Sequence, residues 1–134
     1  MPSHRSRLCT AYIDVPRDDY DRTVRFWSKS LEREAEVDAD DPDYALLGEA
    51  TPGVELGVQA IGDNTPRIHL DIETDDIEAE VARLTSLGAT VQERIEGWVV
   101  MRDPVGTVFC VVKVQLPDAF EASANSWPSP SGSN

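Results

Sequence analysis

Four short segments of this chain carry polar side chains at alternate positions, and those side chains are the ones able to do chemistry. Arg67, His69 and Asp71 alternate with Ile68, Leu70 and Ile72. Thr10, Tyr12 and Asp14 alternate with Cys9, Ala11, Ile13 and Val15. Glu55, Gly57 and Gln59 alternate with Val54, Leu56 and Val58, and Val108, Cys110 and Val112 oppose Phe109 and Val111. A period of two puts each polar set on one face of a strand. An imidazole such as His69 beside Asp71, with Glu55 or Gln59 opposite, can act as a general base or a ligand anchor. Cys110 as a nucleophile needs a neighbouring cation or helix N-terminus, and the sequence supplies neither. Trp98 and Val100 share one face of a further run, Val99 and Met101 the other, and either pair gives an apolar wall for a ring-bearing ligand. A half-exposed antiparallel sheet produces the same alternation with no ligand at all.

The elements that must position these residues recur in the same order twice. A strand over Leu8 to Val15 ends at Pro16, which lacks a donor, and Asp18 or Asp19 caps a helix with Tyr20, Val24, Trp27 and Leu31 on one face. Strands follow at Glu34 to Val37, Tyr44 to Leu47 and Val54 to Ile61, with turns at residues 40–43 and 51–53. After the linker at residues 62–66, a strand over Arg67 to Glu73 leads to a helix capped by Asp75 or Asp76. Ile77, Val81, Leu84 and Leu87 form its apolar stripe, and Gly88 ends it in a left-handed conformation. Strands at Thr90 to Ile95, Trp98 to Arg102 and Thr107 to Val114 complete the second copy, with a tight turn at Asp103-Pro-Val-Gly106. The pattern predicts an α+β protein of two tandem βαβββ modules, each a curved mixed sheet with its helix on the convex side. Residues 1–7 read as an N-terminal extension that includes a mobile His4. Residues 8–115 read as one domain with modules 8–61 and 67–115, and residues 116–134 as a loose tail from which Trp127 can dock on the body.

A chain of 134 residues suffices for one core without staples. The net charge of −13 argues against nucleic acid and anionic membranes, which are bound through Lys/Arg contacts to phosphate. The acidic stretches at residues 32–43 and 73–80 read as solvated surface. No apolar run approaches the roughly 20 residues of a membrane span. The basic N-terminus leads into no apolar signal core, and the two cysteines read as buried thiols of a cytoplasmic protein.

The run Ile68-His-Leu-Asp-Ile72, then Asp75-Asp-Ile-Glu-Ala-Glu-Val-Ala-Arg-Leu84, Leu87-Gly-Ala89 and Trp98-Val-Val-Met-Arg-Asp-Pro-Val-Gly-Thr-Val-Phe-Cys110 resembles the vicinal oxygen chelate superfamily, glyoxalase-like domains in particular. The resemblance covers about residues 8 to 115 and is more specific in the second half. It implies two modules forming a U-shaped sheet around a cleft, and a divalent metal in many members. Carried over, the metal positions fall on Thr10, near Gly57 with Glu55 and Gln59 flanking it, on His69, and on Cys110, where metal-binding relatives have Glu. One good ligand among four does not hold an ion with useful affinity. The expectation is therefore no metal and no other cofactor; zinc held by His69, Cys110 and Glu55 is the alternative.

The leading expectation is a glyoxalase-like protein that binds a small organic molecule in the cleft between its modules without the superfamily metal. Thr10, Tyr12, Glu55, Gln59, Arg67, Asp71, Trp98 and Cys110 would contact the ligand, and His69 would serve as base. A metal-dependent lyase, isomerase or dioxygenase of the same superfamily is one alternative. A non-catalytic dimerisation or partner module is another, with its cleft plugged by side chains, by the Trp127 segment or by a second subunit. The resemblance is also compatible with a homodimer. Whether the chain is an enzyme at all, and on what substrate, the residues leave open.

Overall fold

The turn chemistry fixes most element ends. A computed structural model describes residues 2–62 and 65–128. Strand β1 spans Pro2–Pro16, followed by helix α1 at Arg17–Leu31 and strands β2 (Glu36–Val37), β3 (Tyr44–Thr51) and β4 (Val54–Ile61). The second copy comprises β5 (Arg67–Thr74), α2 (Ile77–Ser86), β6 (Thr90–Ile95), β7 (Trp98–Arg102) and β8 (Val108–Lys113). Helix α3 (Pro117–Ser123) and strand β9 (Asn125–Pro128) follow. The architecture is α+β with two successive βαβββ units in chain order, as the sequence pattern predicts. Residues 63 and 64 of the linker and 129–134 of the tail lie outside the described residues.

The chain divides into two compact units: Thr10–His69, and the N-terminal residues through Cys9 together with everything from Leu70 onward. In the first unit, β4 pairs parallel with β1 and antiparallel with β3, and β2 adds to β3. Helix α1 packs on β3 and β4. Its core is Val15, Tyr20, Ala45, Leu47, Val58 and Ala60, with Ile13, Val24, Trp27 and Leu56 against it. In the second unit β8 lies between β5, parallel, and β7, antiparallel, with β6 beyond β7. Helix α2 covers β6, β7 and β8. The core there is Val81, Ala89, Val99, Met101 and Val111, with Ile77, Leu84 and Phe109 packed against it. Each fully buried Val, Leu or Met side chain among these contributes roughly 1.5–3 kcal/mol by leaving water.

Val99 and Met101 face α2, so Trp98 and Val100 occupy the other face of β7, where Val100 pairs with Cys110 and Trp98 with Val112. Asp76 caps α2 by accepting from the Ala79 amide at 3.0 Å, and Gly88 follows with φ +112°. The Asp103 turn also forms: its carboxylate accepts the Val105 and Thr107 amides, both at 2.9 Å, and these backbone bonds hold its pKa below the usual value.

Several expectations need correction. β1 begins at Pro2, because its first residues pair antiparallel with β9. His4 is therefore held, 4 % exposed, with Nε2 2.7 Å from Glu80. Glu73 and Glu80, read as solvated acid, are fully buried. Glu73 accepts from Arg7 Nη1 at 3.0 Å and from the Gln115 and Leu116 amides at 2.6 and 2.9 Å. The cap of α1 lies at Pro16, one residue before the helix, which leaves Asp18 and Asp19 within the first turn. Part of the expected tail is structured as α3 and β9. Trp127 docks as expected, with Nε1 donating to Ser6 Oγ at 2.9 Å and Arg83 stacked 3.8 Å from its ring centroid.

Candidate functional site

Within the unit Thr10–His69, strand pairing sets the polar residues side by side. Thr10, Tyr12 and Asp14 of β1 lie opposite Glu55, Gly57 and Gln59 of β4, and Tyr44 of β3 lies opposite Gln59. The alternate residues Ile13, Val15, Leu56 and Val58 face the core under α1, so the polar set occupies the other side of the sheet. Arg67 and His69 come from the first half of β5.

Three rings and one carboxylate organise this face. His69 Nδ1 lies 2.6 Å from Asp14 Oδ2, and both residues are buried, at 7 % and 3 % exposed. With Asp14 ionised, Nδ1 carries the proton and donates it, which fixes Nε2 as the basic nitrogen. The Tyr12 ring stacks on the imidazole at 5.0 Å between centroids and 23° between planes. Tyr44 meets Tyr12 edge-on at 5.5 Å, and its hydroxyl accepts from Gln59 Nε2 at 2.8 Å. Tyr12 can lie flat because its neighbour is glycine: a Cβ on Gly57 would stand 2.5 Å from Tyr12 Cε1. Arg67 sits at the margin, its Nε 3.9 Å from Asp14 Oδ2.

The remaining candidates belong to the other unit. Asp71 pairs with Cys110 in the parallel β5–β8 ladder, and a carboxylate oxygen of Asp71 lies within 4.8 Å of Cys110 Sγ. Asp71 is 8 % exposed, Cys110 is half-buried, and both cysteines are reduced. Trp98 shares the Cys110 face of β7 and β8. The face assignments for β5 hold, but the burial is inverted: Ile68 and Leu70 are 63 % and 42 % exposed while His69 and Asp71 are buried. Helix α2 lies over β6, β7 and β8, which leaves the apolar side of β5 less covered than the alternation alone implies.

Two residues gain roles that the sequence did not assign. Asp14 stands on the face its alternation indicates, but its pairing with His69 joins positions 55 apart and has no local signature. Tyr44 follows a turn and carries no mark of its contact with Tyr12. Of the positions that the resemblance gives to a metal, Thr10 is a neutral hydroxyl at 2 % exposure and Gly57 has no side chain. Those two do not fit an ion.

The glyoxalase-like domain family matches residues 10–112. No curated protein matches the sequence. Solved structures similar to the chain include a methylmalonyl-CoA epimerase from Mycobacterium tuberculosis, 20% identical over 84% of this chain and 90% of that one, with a TM-score of 0.57. A hypothetical protein from Bacillus halodurans is 12% identical over 82% and 95%, with a TM-score of 0.60. A Streptomyces coelicolor methylmalonyl-CoA epimerase in complex with 2-nitronate-propionyl-CoA is 18% identical over 80% and 96%, with a TM-score of 0.55. At these identities the likeness is one of fold.

Proposed function

The chain belongs to the glyoxalase-like domain family of the vicinal oxygen chelate fold, and from that premise we propose that it binds a small organic molecule on the polar sheet face of Thr10, Tyr12, Asp14, Gln59, Arg67 and His69. The observation that carries this reading is the buried Asp14–His69 pair under the Tyr12 ring. A carboxylate that fixes the tautomer of an imidazole, on a face rich in rings and amides, suits recognition of a ligand by stacking and a few directed hydrogen bonds. His69 anchors such a ligand, or takes a proton from it where the ligand carries an acidic one. Thermal-shift screening followed by crystal soaking tests the reading. Density against Tyr12 and His69 supports it, and a face that takes up no ligand in either experiment sinks it.

A metal-dependent activity is the second reading, favoured by a different observation. Asp71 and Cys110 are adjacent legal ligands within one unit. Carboxylate and thiolate are both ligands that zinc accepts. Metal analysis of protein purified without chelators decides this: a chain carrying no zinc, nickel, iron or manganese removes the metal reading and leaves the first intact.

A further inference from the structure

We propose that the ligand of this face is an organic ammonium ion, a small primary or secondary amine. The proposal rests on the preceding reading that the face binds a small organic molecule.

Asp14 is 3 % exposed, and its two oxygens are treated unequally. Oδ2 receives His69 Nδ1 at 2.6 Å and has Arg67 Nε at 3.9 Å, beyond hydrogen-bond distance. Oδ1 is buried and has no hydrogen-bond partner among the described residues. A buried carboxylate oxygen without a donor is costly, and such atoms in native proteins call for a ligand, an ion or a water. The missing group is a donor.

The surroundings choose among donors. The Tyr12 and Tyr44 rings stand edge to face beside the pair, and aromatic faces attract ammonium groups. Glu55, paired with Thr10 on the same sheet face, adds negative charge. The whole chain, at −13, draws cations toward its surface. A carboxylate or phosphate ligand would meet Asp14 with like charge. Arg67, with Nε 3.9 Å from Asp14 Oδ2, offsets part of this charge but leaves Oδ1 without a donor. Seating an N–H on Oδ1 requires the carboxyl to turn or the Tyr12 ring to shift. Binding therefore moves the Tyr12 and His69 resonances together.

The test uses matched probes on the unmodified protein: benzylamine, benzyl alcohol and benzoate, then propylamine, propanol and propionate, followed through the aromatic NMR signals of Tyr12 and His69. The amine of each set should bind at least about tenfold more tightly than its alcohol or acid. Asp14→Asn should erase that preference. An alcohol or acid that binds as tightly as the amine, with shifts at Tyr12 and His69, overturns the amine assignment and leaves the face as a ligand site. A broad fragment set that shifts neither residue overturns the site reading itself.

Discussion

Asp14 Oδ2 and His69 Nδ1 meet at 2.6 Å across 55 residues of sequence, joining the end of one strand to the start of another. The pair holds the ring in one tautomer and one orientation, so the two residues should behave as a single energetic unit. In a double-mutant cycle of Asp14→Asn and His69→Gln, the coupling energy should fall at about 0.5–3 kcal/mol. Urea unfolding of the four proteins measures it, and additive single effects would show that the contact is incidental.

Gly57 is needed for the Tyr12 ring. Gly57→Ala should destabilise the protein by about 1–3 kcal/mol, since a new Cβ would overlap Tyr12 Cε1. Adding Tyr12→Ala should relieve much of that cost. Denaturation midpoints of the single and double variants check the prediction, and an equal cost in both backgrounds contradicts it.

Glu80 predicts an acid limit to stability. Burial raises its pKa, but hydrogen bonds from Arg83, His4 and Ser6 outweigh that, and the folded-state value lies below 4.5. On acidification the unfolded chain therefore takes up the proton first. The contribution is fully present above pH 4.5 and is lost as pH falls through the folded value. Glu80→Gln should flatten this part of the pH–stability curve and, by leaving Arg83 unpaired, lower stability at neutral pH. Thermal melts between pH 3 and 7 (a span of about four units that brackets the carboxylate range) would show both effects.

Trp127 anchors the last described strand through Ser6 and the Arg83 guanidinium. Trp127→Ala should cost about 1–3 kcal/mol, while Trp127→Phe should keep part of the stacking and lose the hydrogen bond. Amide hydrogen exchange in residues 125–127 reports the difference directly, and unchanged protection in the Ala variant would contradict the anchoring role.

Where two turn signals bracket a short β-branched run, the sequence located the element with no error. β4, β6 and β7 begin and end where the sequence predicts, between Thr51-Pro-Gly53, Gly97 and the Asp103 turn. Asp76 capped its helix because that cap needs only residues three apart. What escaped was non-local. The first turn of β1 is strand only because β9, some 120 residues later, pairs with it. Glu73 and Glu80 look like surface acid until Arg7, His4, Ser6 and Arg83 are brought to them. In the candidate site, alternation put Tyr12, Asp14, Gln59 and His69 on their faces. It could not show that Asp14 and His69 touch, that Tyr44 backs Tyr12, or that the polar side of β5 is the buried one.

The division of the chain also bears on how the protein is made. Thr10–His69 is one uninterrupted stretch, whereas the other unit needs its N-terminal strand residues and those from Leu70 to Pro128. During synthesis the first unit has all its residues once His69 has left the ribosome. The beginning of β1 must wait until Glu80, Glu73 and finally β9 emerge to meet it. Folding of the nascent chain is thus ordered inside out, with its earliest residues among the last to settle.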